Sequence, residues 1–162
     1  MKIMILGADG YLGWPTSVDF ALKGHRLMLV DNYIKRKLMK KYNKKPLVVS
    51  PKLDQKVSLL IKNSCKVDFS NIDCSNYLAL NKLINKFRPN AIIHYAELPS
   101  APYSMMGYNE SWKTLQNNLQ TTLNIIWSVK NLKNECHIIK LGTMGEYGTP
   151  NIDIEEGWIE IE

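Results

Sequence analysis

A doubly wound α/β fold on a parallel sheet is what this sequence predicts, and three observations predict it. A short apolar run at residues 3–6 passes directly into glycines at positions 7, 10 and 13. The next apolar run, residues 26–30, closes on an acid, Asp31. Strand-like and helix-like segments then alternate as far as residue 141, the order expected of βαβ units.

The first strand, residues 2–6, is apolar apart from Lys2, as suits a central parallel strand covered on both faces. A tight turn must follow. Gly7 can adopt the backbone angles it needs, Gly10 lets the main chain approach a pyrophosphate, and Gly13 lets the next helix pack closely on the sheet. The unpaired amides and positive dipole end of that helix attract an anion without a lysine, which separates this loop from a P-loop. Asp9, Tyr11 and Leu12, between the glycines, are expected to border the same ligand. Asp31 lies roughly 20 residues on, where a carboxylate accepts hydrogen bonds from adenosine ribose hydroxyls. This favours NAD over NADP. Arg36 and its lysine neighbours argue the other way, because an arginine near the ribose can hold a 2′-phosphate, but Asp31 would repel that phosphate. Arg36 is therefore read as a cofactor-binding residue of an NAD site.

Beyond a lysine-rich stretch, residues 66–70 are a candidate third strand, followed by Asp73. A helix is predicted over 77–87 with Pro89 beyond its end, a strong fourth strand over 91–96, a helix of about six turns over 109–131, and a fifth strand over 136–141. Ligands of such a sheet sit at the carboxyl ends of the strands, so the chemistry is expected near residues 7, 31, 73, 97 and 143.

Composition narrows the function classes. The chain has 162 residues, 45% of them hydrophobic, enough for one core-bearing domain. No apolar run approaches the ~18 residues of a membrane span and no signal-peptide segment opens the chain, so a cytoplasmic setting without membrane attachment is expected. Cys65, Cys74 and Cys136 lack the spacing of a zinc or redox motif and are expected as free thiols. His25, His94 and His137 are not gathered with other ligands, so no metal site is expected. The net charge of +6 is concentrated between residues 35 and 62. Nucleic-acid binding is one reading of that run, but no RNA-binding aromatic motif accompanies it, and a solvated helix and loop is the preferred one.

The segment Gly142-Thr143-Met144-Gly145-Glu146-Tyr147-Gly148 begins where the fifth strand ends. Thr143 is the candidate catalytic residue there, since its hydroxyl can hold a sugar or alcohol oxygen in line for oxidation. Met144, Gly145 and Glu146 are substrate-side candidates beside it.

The glycine loop, Asp31, Asp73, Asn118 and Thr143 resemble the extended short-chain dehydrogenase/reductases that act on nucleotide sugars, the NAD-dependent epimerase/dehydratase family with its Rossmann-like sheet. Three stretches resemble the UDP-sulfoquinovose synthase branch of sulfolipid biosynthesis: residues 10–14 (Gly-Tyr-Leu-Gly-Trp), 100–105 (Ser-Ala-Pro-Tyr-Ser-Met) and 140–157 around Thr143. The resemblance implies conversion of UDP-glucose and sulfite to UDP-sulfoquinovose: NAD-dependent oxidation at C4, loss of water across C5 and C6, sulfite addition at C6 and re-reduction. It also implies that Asp31 and Asn32 hold the adenosine ribose, Asp73 and Cys74 the adenine, that Ala96 and Glu97 border the cofactor, and that Asn118 supports the site from its helix. Ser100 and Tyr103 become substrate candidates, and the complete enzyme is expected to be a homodimer.

The chain departs from the resembled patterns in three places. Met144 and Gly145 replace the Asp-Glu that follows the threonine in related sugar dehydratases. Leu98-Pro99 stands where Gln-Arg would supply a cation. The Tyr-x-x-x-Lys pair that takes the hydroxyl proton is matched only by Tyr33 and Lys37, at the adenosine end, which reads as coincidence. Residues 1–162 are therefore expected to be the N-terminal cofactor-binding part of the enzyme, ending before its last strands and substrate domain, binding NAD without turnover and leaving the fifth strand as an apolar edge. Two alternatives share the glycine-loop argument: a nucleotide-sugar 4-epimerase or 4,6-dehydratase, and a non-catalytic NAD-binding module.

Overall fold

The computed structural model describes residues 1–99 and 101–142. Five strands form one sheet: β1 (Lys2–Leu6), β2 (Arg26–Val30), β3 (Val67–Ser70), β4 (Ala91–His94) and β5 (His137–Lys140). Their spatial order is β3-β2-β1-β4-β5 and every pairing is parallel, with Ile5 opposite Leu29 on one side and Ile93 on the other. The order reverses between β1 and β4, which opens a crevice at their carboxyl ends.

Strand alternation divides the core into two layers. Ile3, Ile5, Leu27, Leu29 and Val67 pack on one face against Ala21 of α1 (Gly13–Leu22) and Leu53, Val57 and Leu60 of α3 (Leu53–Lys62). Met4, Leu6, Val30 and Ile92 pack on the other against Leu80, Ile84 and Phe87 of α4 (Tyr77–Phe87) and Ile125 of α5 (Tyr108–Lys130). Burial on both faces explains why β1 reads as an unbroken apolar run.

Local signals set the ends of α4 where the sequence predicts them. The Asn76 side chain caps the helix by accepting from the Ala79 amide at 3.1 Å, and Arg88 closes it in the left-handed region at φ 51°, just before Pro89. The fourth strand is shorter than expected, for a local reason. Beyond His94 the Ala96 amide turns back onto the His94 ring, Nδ1 at 3.2 Å, and the Glu97 amide donates to the Tyr95 carbonyl, so the chain leaves the ladder.

The basic stretch folds into two helices, α2 (Ile34–Lys41) and α3. Most of its lysines face solvent, as the sequence reading expects. Lys56 does not: it is 5% exposed. It is drawn inward by a carboxylate 47 positions earlier in the chain, Asp9, whose Oδ1 lies 2.9 Å from its ammonium.

Helix α5 is inverted in polarity. Thr114, Thr121, Asn124, Ile125 and Ser128 face the protein, while Trp112, Leu115, Leu119, Leu123, Ile126 and Trp127 face outward, with Leu119 65% exposed. Strand β5, outermost of the described strands, also exposes Ile138 and Ile139.

Candidate functional site

A cleft lies over the reversal point of the sheet, the place where ligands of such sheets bind. It is lined from the ends of four strands: Gly7, Asp9 and Gly10 after β1; residues 31–36 after β2; Ile72, Asp73 and Cys74 after β3; and Tyr95, Ala96 and Glu97 after β4. Asn117 and Thr121 of α5 complete the wall. Four of the five positions where chemistry is expected thus converge. Thr143, Met144, Gly145, Glu146 and Ser100 lie outside the described residues.

The glycine loop is built by close approach. At Gly7, φ is +79° and a Cβ would lie 2.5 Å from the Tyr95 carbonyl oxygen; at Gly13 it would lie 2.2 Å from the carbonyl oxygen of Gly7. No side chain caps the N-terminus of α1, whose Trp14 and Thr16 amides donate to the Gly10 and Leu12 carbonyls at 3.2 Å, so what the helix offers an anion is chiefly the positive end of its dipole. The loop is also tied sideways to β2: the Gly7 and Ala8 amides donate to the Val30 carbonyl at 2.8 and 3.1 Å.

Asp31 receives the Asp9 amide on Oδ2 at 2.9 Å and the Tyr33 amide on Oδ1 at 2.7 Å. Burial pushes its carboxyl above the ordinary aspartate range, and these two amides only partly oppose that. The Asn32 side chain accepts from the Ile34 amide at 2.9 Å and opens α2. Arg36 turns back to Asp9: its Nε bonds Oδ2, and Nη2 bonds Oδ1 at 3.0 Å.

At the adenine-side end expected from the resemblance, Asp73 accepts the Ser75 amide and hydroxyl at 2.9 and 2.7 Å. Burial pushes the Cys74 thiol far up, so it is a protonated packing group rather than a nucleophile. The Asn124 side chain holds this turn by donating to the carbonyls of Cys74 and Ser75 at 3.0 and 2.9 Å.

Across the crevice His94 is buried and burial holds its pKa below the ordinary value. Its Nδ1 accepts the Ala96 amide, which leaves the proton on Nε2, facing the Thr122 hydroxyl at 3.4 Å. Glu97 sits 3.7 Å from Nε2 but is paired with Lys140 at 3.1 Å. The imidazole is therefore a neutral structural group.

Several expectations resolve differently from one another. Asn118 does not line the cleft; it brackets Leu98, accepting that residue's amide and donating to its carbonyl, each at 2.9 Å, and so supports the Ala96–Leu98 wall from α5. Tyr11 and Leu12 are exposed, at 89% and 47%, and neither they nor Gly13 line the cleft. Tyr103 packs its ring on Tyr42, centroids 6.0 Å apart, away from the cleft lining. Tyr33 is no proton acceptor: burial pushes its phenol up, opposite to the shift that role needs, and Lys37 is exposed.

Asn117 and Thr121 escape the sequence reading. Thr121 is 1% exposed, and its hydroxyl has no hydrogen-bond partner among the described residues although the residue lines the cleft. The signal is visible in hindsight: Thr114, Asn117, Thr121, Asn124 and Ser128 recur on one helical face, opposite the apolar stripe. A buried hydroxyl without a partner, a glycine loop packed on backbone and a carboxylate with accepting capacity left suit a polar ligand rich in hydroxyls and phosphate.

Among the described residues no helix is long and apolar enough to cross a membrane, and no group of three or more His, Cys, Asp or Glu could hold a metal ion.

Comparison with known proteins agrees with this geometry. The chain is 36% identical over 161 residues to the chloroplastic UDP-sulfoquinovose synthase of Spinacia oleracea, covering 99% of this chain and 33% of that protein. It is 37% identical over 157 residues to the UDP-sulfoquinovose synthase of Sulfolobus acidocaldarius, covering 96% and 40% respectively. The chain thus spans about a third to two-fifths of the length of these relatives. The UDP-Glc/GlcNAc 4-epimerase of Campylobacter jejuni has the same fold, with TM-score 0.68 and 24% identity over 93% of this chain and 40% of that one. Residues 3–159 match the model of the NAD dependent epimerase/dehydratase family, and the chain belongs to that family.

Proposed function

We propose that the cleft holds NAD and that residues 1–162 are the cofactor-binding part of an enzyme making UDP-sulfoquinovose from UDP-glucose and sulfite. The observation that carries the cofactor reading is the joining of Gly7, Gly10 and Asp31 in one cleft at the reversal point of the sheet. In this reading the amides of the glycine loop and the N-terminus of α1 meet the pyrophosphate. Asp31 and Asn32 meet the adenosine ribose, Asp73 and Cys74 border the adenine, and Ala96 and Glu97 border the nicotinamide half. Bound NAD would supply reversible oxidation of a sugar carbon. Thr143, just past β5 in sequence, would hold the reacting hydroxyl, with Met144, Gly145 and Glu146 beside it and Ser100 and Tyr103 on the substrate side.

The two relatives above 35% identity support the sulfoquinovose product. The second reading, a UDP-sugar 4-epimerase, draws on a UDP-glucose 4-epimerase of Klebsiella pneumoniae that is 24% identical over 80% of this chain. Incubation of the full-length enzyme that carries this chain with NAD and UDP-glucose, with and without sulfite, separates them once the products are resolved by liquid chromatography before mass spectrometry, since UDP-galactose and UDP-glucose have equal mass. A sulfonated UDP-sugar formed only with sulfite supports the synthase; UDP-galactose formed regardless of sulfite supports the epimerase. Absence of NAD binding by calorimetry would sink both.

The outward apolar stripe of α5 supports a homodimer built on that helix, because a helix that turns its polar face inward leaves its apolar face needing cover. Leu119→Glu should then lower the mass measured by light scattering. A cytoplasmic setting remains part of the proposal, to be checked by cell fractionation.

A further inference from the structure

We infer that Asp9 is a cofactor-specificity residue: by latching Arg36 onto the glycine loop it withholds the guanidinium from a 2′-phosphate on the adenosine ribose. The inference rests on the proposal that the cleft holds a dinucleotide.

Arg36 lines the cleft beside Asp31 and Asn32, where an arginine could serve a phosphorylated ribose. Its donors are already engaged. Nε and Nη2 form a fork on the Asp9 carboxylate, Nη1 donates to the Ser50 carbonyl at 2.9 Å, and Nη2 also donates to the Pro51 carbonyl at 2.6 Å. Four of the five N–H groups of a guanidinium are thereby used. Both edges that could grip a phosphate bidentately are thus occupied, Nε–Nη2 by Asp9 and Nη1–Nη2 by the Ser50 and Pro51 carbonyls, and the latch on Asp9 holds the first of them.

The latch is anchored rather than loose. The Asp9 side chain is 7% exposed, and the side chain of the second cation on it, Lys56, is 6% exposed, with its ammonium 5.0 Å from the centre of the Trp14 ring. Lys56 reaches Asp9 from α3 and Arg36 reaches it from α2, so the carboxylate is held between two helices. The backbone of Asp9 acts in the same direction as its side chain. Its amide donates to Asp31 Oδ2 and orients the carboxylate that would accept the ribose hydroxyls and repel a phosphate.

The test compares dissociation constants for NAD and NADP by calorimetry. Asp9→Asn alone strands the Lys56 ammonium in a buried place, so the informative variant is Asp9→Asn with Lys56→Met, its folding checked by circular dichroism. In this variant the NADP-to-NAD ratio of dissociation constants should fall by about tenfold, the scale of one charge-assisted phosphate contact. Adding Arg36→Gln should restore the wild-type ratio. Arg36→Gln by itself should leave the ratio unchanged, since the latched guanidinium does not reach the phosphate; this variant bears on the inference even if the double variant fails to fold. An unchanged ratio in the folded double variant overturns the latch. So does a ratio that rises in Arg36→Gln alone. Wild-type protein that binds neither dinucleotide overturns the cofactor reading and the latch together, whereas wild-type protein that binds NAD isolates a failure of the latch.

Discussion

Replacing Gly7 by alanine tests whether the glycine loop is held by packing or merely by convenience of sequence. Two costs add at this position. With φ at +79°, an alanine pays the left-handed penalty, about 1–2 kcal/mol. Its Cβ would also lie 2.5, 2.6 and 2.8 Å from the carbonyl oxygen and carbon of Tyr95 and the nitrogen of Ala96. These are backbone atoms of the segment that carries the β4 side of the cleft, so the overlap is relieved only by moving one wall from the other, at about 1–3 kcal/mol. Gly24 supplies the control. Its φ is +78° and nothing lies within 4 Å of its would-be Cβ, so Gly24→Ala carries the first cost without the second. The difference between the two variants isolates the overlap. Centred on about 2 kcal/mol, it corresponds to a melting temperature about 4–8 °C lower for Gly7→Ala than for Gly24→Ala. Thermal denaturation followed by circular dichroism reads it. Equal melting temperatures would refute the claim that the β1 and β4 loops abut through Gly7.

Thr121→Val keeps the shape of a buried side chain and removes a hydroxyl without a partner among the described residues, so urea denaturation should show stability unchanged or raised by about 1 kcal/mol while calorimetry shows weaker NAD binding. Asn124→Leu strands the carbonyls of Cys74 and Ser75, which should cost about 1–3 kcal/mol in the same denaturation assay. For His94, burial lowers the folded pKa below the unfolded value of about 6.5, so its contribution to stability is complete above that pH and is lost as pH falls below it, with a slope of up to about 1.4 kcal/mol per pH unit. His94→Gln should flatten that slope in urea titrations; an identical slope in the variant would assign it to other groups.

What the sequence discloses here is what short stretches of chain decide. The run from β1 through Gly7, Gly10 and Gly13 into α1 is local in sequence and in space, and so is α4 between its Asn76 cap and Pro89; both are readable without tertiary information. The end of β4 was not, because it depends on the Ala96 amide finding a histidine ring two residues back instead of the next strand. Lys56 was not, because nothing distinguishes it from its exposed lysine neighbours except a carboxylate 47 positions away. In α5 the apolar stripe is plain, but ordinary helical amphipathicity turns such a stripe inward. Here the polar face turns inward, bringing Asn117 and Thr121 to the cleft and Asn118 to Leu98. Choosing between the two faces takes knowledge of what covers the outer one.

The charges around the cleft are mostly matched within the protein. Asp9 has Arg36 and Lys56, Glu97 has Lys140, and His94 is neutral. Asp31, like Asp73, makes no ion pair among the described residues: its partners are two backbone amides, one on each oxygen, whereas a carboxylate offers about four acceptor positions. Capacity remains for two hydroxyl donors. Its ionised form is also held at a disadvantage, since burial raises its pKa. Ribose hydroxyls donating to it would favour that form, so the pKa must be lower with NAD bound than without. By linkage, NAD affinity is greatest where Asp31 is ionised in the unliganded protein and falls as pH drops through the raised pKa, beginning above the ordinary aspartate value of about 3.9. Calorimetry in two buffers of different ionisation enthalpy, on the acid side of neutrality, should register proton release on binding. Asp31→Asn should abolish both the release and the acid-side loss of affinity. Proton release that persists in Asp31→Asn would place the titrating group elsewhere and remove Asp31 as the acceptor of the ribose.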